Sequence, residues 1–238
     1  MNKNKYRLNQ YIAKSGITSR RKADLLIASG KIKINGIVIQ ELGTKVSSND
    51  TVEYAGKTIK IEEYKYLVLN KPKDYITTLK DEKNRRTVMD LVAQSCNERL
   101  FPVGRLDKDT TGVLLFTNDG DLSQKLIHPK HKIKKVYHVF LNIKIKDTDY
   151  RTIKKGFLLE DGQITVDEIH IVNNSKKKEL LISLHSGRNR IVRRIFEFFG
   201  YKVLKLDRIM FAGISKKKVS RGKWRFLTNK EIGFLKMK

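Results

Sequence analysis

The chain has 238 residues, with 51 Lys+Arg against 25 Asp+Glu and a formal net charge of +26. Its apolar content of 39% can fill a core, which excludes a disordered polycation. No apolar run approaches the roughly 20 residues that span a bilayer, and no apolar segment follows Met1-Asn2-Lys3-Asn4-Lys5 as an export signal requires. One cysteine, Cys96, allows neither an internal disulfide nor a Cys-rich zinc site, so a reducing cytoplasm is expected.

Such a charge calls for a polyanionic partner, nucleic acid first. Drift toward Lys codons is the alternative. Residues 1–60 hold 12 basic and 4 acidic side chains, residues 61–175 hold 20 and 17, and residues 176–238 hold 19 and 4. Uniform drift would not leave the middle nearly neutral.

In chain order, a short helix is predicted from Leu8 to Lys14, stopped by Ser15-Gly16. A second starts at Thr18 or Ser19, either of which can cap free backbone N–H groups. Ala23, Leu26 and Ile27 share one face of it, and Gly30 ends it. Asn35-Gly36 between Lys31–Ile34 and Ile37–Ile39 predicts a hairpin, because both turn positions tolerate positive φ. Arg20, Arg21 and Lys22 crowd the first turn of the second helix, where cations oppose the helix dipole. A phosphate there would reverse that penalty; a solvated basic face is the plainer alternative. Leu8–Ala13, Ser19–Ala23 and Gly30–Gly36 resemble the RNA-binding domain named after ribosomal protein S4, over about residues 5–55. The resemblance implies that Arg20, Arg21 and Lys22 contact RNA.

Residues 54–65 are charged and lack helical periodicity, so a linker is placed there, part of it open to strand. Beyond it the pattern predicts strand at Tyr66–Leu69, a short helix at Thr87–Ala93, and a buried strand at Gly112–Thr117 ended by Asn118-Asp119-Gly120. Strands follow at Lys135–Asn142 and Glu179–His185, then a helix at Arg190–Phe199 ended by Gly200. Lys176–Lys178 and Lys216–Lys218 read as hairpin tips. Strands outnumber helices and are mostly joined by turns. This predicts an α+β fold with a mixed, mostly antiparallel sheet flanked by helices.

The informative stretch is Gly104-Arg105-Leu106-Asp107-Lys108-Asp109-Thr110-Thr111-Gly112. As a calcium loop it begins well, with Asp107, Asp109, Thr111 and Gly112 in place. Its twelfth position is Asn118, where a bidentate Glu is needed, and a strand follows where a helix should. Plain turn structure is a second reading, since Asp, Thr and Gly favour turns. The third is catalysis. Gly104–Asp107, Thr110–Gly112, Val113–Thr117 and Asp119-Gly120 strongly resemble the signature of the RsuA/RluB-type branch of pseudouridine synthases. Three further blocks match in order: Leu69–Lys73, His128-Pro129 through Lys135-Val136-Tyr137, and Ser186–Arg190 through Val192–Arg194. Two positions depart from the family pattern. Asp74 stands where Gly is usual, and Ile191 where Gln is frequent.

The resemblance covers essentially the whole chain. It implies a small S4-like RNA-binding domain at 1–60 and a pseudouridine synthase domain at 61–238. The family isomerises uridine within RNA: the N-glycosidic bond breaks, the uracil rotates, and C5 joins the sugar. No redox change or group transfer occurs, so neither cofactor nor metal is implied. The carboxylate near C1′, acting as in retaining glycosidases, is by resemblance Asp107. Arg193 is its candidate partner, because a guanidinium offsets both burial and isolation of a carboxylate. Tyr137 is implied to stack on the flipped base. An ordinary Tyr, with a pKa of about 10, makes a poor base for the sugar proton. Arg105 points the same way as Asp107 at spacing i, i+2 and is expected to fill the gap left by the base, or to contact phosphate. Lys71, Lys73, Arg188 and Arg190 are candidate phosphate contacts. Ribosomal RNA, of the large subunit by the look of the late basic block, is the implied partner, and a monomer the implied state. A non-catalytic rRNA-binding or ribosome-assembly factor on the same fold is the alternative.

Overall fold

The computed structural model describes residues 5–238. Met1–Asn4, part of the stretch read for an export signal, lies outside the described residues. The chain divides into two units, one of residues up to 65 with 97–100 and 118–120, the other of 66–96, 101–117 and 121–238.

The first unit runs β1 (Tyr6–Arg7), α1 (Leu8–Lys14), α2 (Arg20–Ala28), β2 (Ile32–Ile34), β3 (Ile37–Ile39), β4 (Lys45–Val46), β5 (Val52–Tyr54) and β6 (Lys57–Thr58). Ser19 caps α2, its hydroxyl accepting from the Lys22 N–H. Asn35 and Gly36 both have positive φ, 50° and 81°, the geometry of the tight hairpin turn that pairs Ile34 with Ile37. The sheet order is β3-β2-β5-β6, with β1 and β4 a separate pair. Leu8, Ile12, Ala23, Ile27, Ile32, Val46 and Val52 form the core. Arg20, Arg21 and Lys22 are exposed. The stretch read as linker is strand at Tyr54, the end of β5, and at Lys57–Thr58, and has no regular structure from 59 to 65.

The second unit runs β7 (Tyr66–Lys71), β8 (Phe101–Pro102), β9 (Thr111–Thr117), α3 (Gly120–Ile127), β10 (Lys135–Leu141), α4 (Asp147–Lys155), β11 (Phe157–Leu159), β12 (Gly162–Ile164), β13 (Glu168–Ile171), β14 (Glu179–Leu184), α5 (Ile191–Phe198), β15 (Val203–Phe211), β16 (Ile214–Ser215), β17 (Trp224–Phe226) and α6 (Asn229–Met237). Its main sheet has the order β13-β14-β10-β15-β9-β7-β17, with β16 on β15 and β8 on β9. Among the described strand pairs of this sheet only β9 and β15 run parallel. The α+β, mostly antiparallel expectation holds. β7 and β9 are continuous apolar runs because they lie in the middle of the sheet: Leu67, Val68, Leu69, Val113 and Leu114 are fully buried.

Two local expectations do not hold. Thr87–Ala93 is a chain of tight turns, with Asp90, Val92 and Ser95 N–H groups bonding three residues back. Val88 and Val92 are buried as the helical spacing required, but the Asp90 carboxylate accepts the Thr87 N–H and closes the segment locally. Lys216–Lys218 is not a hairpin tip. The tip is Ala212-Gly213, both at positive φ, joining β15 to β16. Lys176–Lys178 does lie in the turn between the paired β13 and β14. Among the described residues no helix is long and apolar enough to cross a membrane.

Candidate active site

The loop between β8 and β9 carries Asp107, and the interior of the sheet holds it in place. Lys71, last residue of β7, is fully buried. Its ammonium donates to the carbonyls of Thr110 at 2.9 Å, Asp107 at 3.1 Å, Lys108 at 3.2 Å and Pro72 at 3.1 Å. Burial pulls its pKa down to about 8 against the pull of Asp109, Asp107 and Asp74 the other way. Lys71 was expected at phosphate; the structure places it beneath the loop, out of reach of RNA. The Thr77 hydroxyl donates to the Leu106 carbonyl at 2.8 Å, and the Asp74 N–H to the Lys108 carbonyl at 2.9 Å. Asp74 keeps the turn shape that Gly would favour, at φ 70°.

Where the loop enters β9, Gly112 has φ 106°, and a Cβ there would lie 2.2 Å from the Arg208 carbonyl oxygen. The close approach lets β9 pair in parallel with β15. Thr111 beside it donates to Asp207 at 2.8 Å. Burial pushes the Asp207 carboxyl up, but Lys216, Arg221 and Thr111 hold it below its ordinary value. Arg221 also reaches Asn70 at 2.8 Å and the Lys71 carbonyl at 3.2 Å, tying β7 to the same network.

A cavity of about 180 Å³ opens above this floor, with Asp107, Tyr137, Lys135, Arg190, Ile191 and Arg208 among its walls. Tyr137 on β10 is 9% exposed, so its ring is a wall rather than a surface group. Arg105 lines the cavity as well and is itself exposed. A wider groove of about 580 Å³ shares Arg105, Asp107, Arg188 and Arg190 and adds Lys108 and Asn189.

Arg193 is on α5, buried, and does not pair with Asp107. It donates to the Val203 carbonyl at 2.9 Å, and its other terminal nitrogen lies 2.7 Å from Asp109. The physical reason is position. Arg193 lies on the side of α5 that points into the fold, where it meets Asp109 of the loop. The cation beside Asp107 is instead Arg190, at 3.5 Å, on the residue that precedes α5. Arg190 was read only as a phosphate contact. Arg188 is exposed and lies 3.5 Å from Asp161, and Lys73 is exposed outside the cavity. Ile191, at the position where Gln is frequent, gives the cavity an apolar wall.

Sequence reasoning missed Lys135 and Arg208. Lys135 donates to the His185 carbonyl at 2.8 Å and so holds the end of β14, from which Ser186–Arg190 departs. Burial first, then the charge of Arg208, pulls its pKa down to about 8. Its spacing of two from Tyr137 on one strand was the available signal, since i and i+2 share a face. Arg208 lay in a strand the pattern did not reveal.

A loop carboxylate, an aromatic wall and surrounding cations in one small cavity fit chemistry on a flipped-out base. Residues 65–198 match the family model described as RNA pseudouridylate synthase, and residues 7–52 match the S4 domain. This chain belongs to the RNA pseudouridylate synthase family. The synthase is 41% identical over 232 residues to an uncharacterized RNA pseudouridine synthase of Aquifex aeolicus, covering 96% of this chain and 93% of the relative. It is 39% identical over 229 residues to ribosomal large subunit pseudouridine synthase B of Bacillus subtilis, covering 95% and 93%. A crystal structure of a pseudouridylate synthase superposes with a TM-score of 0.69 at 28% identity, covering 96% of this chain and 99% of the other. The synthase is therefore an isomerase of uridine in RNA, with an S4 RNA-binding domain at its N-terminal side.

Proposed function

We propose that the synthase converts a uridine of large-subunit ribosomal RNA to pseudouridine in the cytoplasm, as a monomer and without metal or cofactor. The observation that carries the catalytic reading is the placing of Asp107 and Tyr137 on the walls of one small cavity. The similarity to the Bacillus subtilis large-subunit enzyme supports the choice of RNA. Residues 61–238 form the catalytic domain and 1–60 the RNA-binding domain in this reading.

Asp107 attacks or stabilises C1′ while the C1′–N1 bond breaks, with Arg190 steadying its charge. Tyr137 stacks on the uracil as it turns to present C5. The new C1′–C5 bond forms, C5 loses its proton and N1 gains one, so the sum is an isomerisation. Arg193 acts through Asp109, fixing the loop that carries Asp107. Arg105 sits at the cavity mouth, suited to the gap in the RNA stack. Arg188, Arg190 and Lys73, with Arg20, Arg21 and Lys22 on the S4 unit, supply phosphate contacts.

The test is a pseudouridine map of cellular RNA with and without the gene, followed by Asp107→Asn in the purified protein. One large-subunit pseudouridine should vanish with the gene. The Asp107→Asn variant should bind RNA and form no pseudouridine. An unchanged map would favour the non-catalytic binder, and an active Asp107→Asn variant would remove Asp107 from the chemistry.

A further inference from the structure

Arg208 is a buried cation that the roles above leave unused. It is 3% exposed, at the centre of the main sheet. Its neighbours in register are Tyr137 on β10 and Gly112 on β9. Residues directly opposite on adjacent strands project to the same face, so Arg208 and Tyr137 belong to one wall of the cavity they both line. The Arg208 Nε donates to the Val113 carbonyl at 2.8 Å, and the guanidinium lies 4.7 Å from the centre of the Phe211 ring. One terminal nitrogen, Nη2, is buried and has no hydrogen-bond partner. Thr110 Oγ1, on the same cavity, is likewise buried and unpartnered.

A buried guanidinium donor without an acceptor is costly, and more so when no carboxylate balances the charge. Folding alone would favour an apolar residue at this position. The cost is offset when a ligand brings an acceptor, and most when that acceptor becomes negative during reaction. A phosphate is a poor fit, because phosphates stay at the surface while Arg208 is 3% exposed and lines the cavity from the centre of the sheet. The base is the part of the nucleotide that enters the cavity.

We propose that Arg208 donates from Nη2 to a carbonyl oxygen of the flipped uracil and stabilises the negative charge that develops there as the base departs. This rests on the reading of the cavity as the uridine site. When the C1′–N1 bond breaks, its electron pair leaves with uracil and spreads from N1 onto the ring oxygens. This holds whether Asp107 bonds to C1′ or a C2′ proton is lost instead. As C5 joins C1′, the pair returns to a covalent bond, and the charge at the oxygen falls again. Arg208 thus binds the intermediate more strongly than either uridine or pseudouridine, which is what accelerates a reaction.

The experiment uses the full chain and an rRNA fragment bearing the target uridine, in single turnover with enzyme in excess. Arg208→Met should lower the first-turnover rate about 10²-fold with RNA affinity within about twofold of the parent. Arg208→Lys keeps the charge without the planar fork and should recover part of the rate. The same RNA is then made with 5-fluorouridine at the target. Fluorine stabilises the departing anion, so consumption of that nucleotide should depend on Arg208 about tenfold less than uridine does. Equal losses on both RNAs, in a variant that stays folded by circular dichroism, would make Arg208 structural and overturn the proposal. Lost RNA affinity with an unchanged saturating rate would overturn it in favour of a phosphate contact. If Arg208→Met does not fold, the same comparison is read on Arg208→Lys. If the parent protein forms no pseudouridine on any rRNA fragment, the uridine-site reading has failed, and that outcome is separate from the ratio that tests Arg208.

Discussion

Lys71→Met replaces the ammonium beneath the Asp107 loop with an apolar chain of similar reach. It removes the donor shared by the Asp107, Lys108 and Thr110 carbonyls. A hydrogen bond to a charged donor contributes ~2 kcal/mol, so losing the three to the loop comes to about 6 kcal/mol. Burying the charge is itself unfavourable. The fall of the Lys71 pKa from 10.5 to about 8 corresponds to about 3 kcal/mol at 1.36 kcal/mol per unit, which the methionine regains. The net destabilisation is therefore about 3 kcal/mol, or a fall in Tm of roughly 6–12 °C for a domain of this size. The rate suffers more than the fold, because a loop displaced by about 1 Å loses ~10²-fold when the reacting geometry is tight. Thermal unfolding and single-turnover pseudouridine formation at saturating RNA measure the two effects. A variant with Tm within about 2 °C of the parent and an undiminished rate would refute the pinning role of Lys71.

Gly112→Ala should destabilise the second unit by more than ~3 kcal/mol, since the new methyl meets the Arg208 carbonyl at 2.2 Å in a backbone conformation that alanine avoids. Chemical denaturation measures it, and a loss under about 1 kcal/mol would count against the close packing of β9 on β15. The isomerisation rate should fall as pH rises through about 8, where the buried ammonium groups of Lys71 and Lys135 lose their protons and with them hydrogen bonds to the two site loops. Their folded pKa values lie below the unfolded ones, so between about 8 and 10.5 the unfolded chain holds more protons and these two groups make folding more favourable as pH rises. A rate decline with unchanged or rising Tm is thus the expected signature, and a flat rate across that window would remove the protonation requirement.

The S4-like unit was readable almost to the residue, because its signals are local. Ser19 caps, Asn35-Gly36 turns, and Ala23 with Ile27 mark a face. The Asp107 loop and Tyr137 were readable through ordered motifs. The partners of Asp107 were not, since they depend on how α5 meets the loop in three dimensions. Arg190 and Arg193 are three residues apart, yet one faces the cavity and the other the interior. Lys71 looked like one more basic residue in a basic chain, and only the folded sheet, with Lys71 fully buried opposite Gly112, shows that its ammonium is swallowed. The helix α3 was hidden because Gly120, read as the end of a strand, is also the start of a helix. The α6 start did carry a local sign in Thr228 and Glu231, a reciprocal cap.

The supports of the Asp107 loop have a consequence for the order in which the protein becomes useful. Lys71 precedes the loop, but Asp207, Lys216 and Arg221 follow it by 100 residues or more, and β17 closes on β7 later still. Ordering the loop therefore waits on contacts of long sequence separation, which form slowly. The core of the first unit lies wholly within residues 8–59. On a ribosome that synthesises this chain, the part that grips RNA can fold while the part that acts on it is still incomplete. Capture precedes chemistry in time as well as along the sequence.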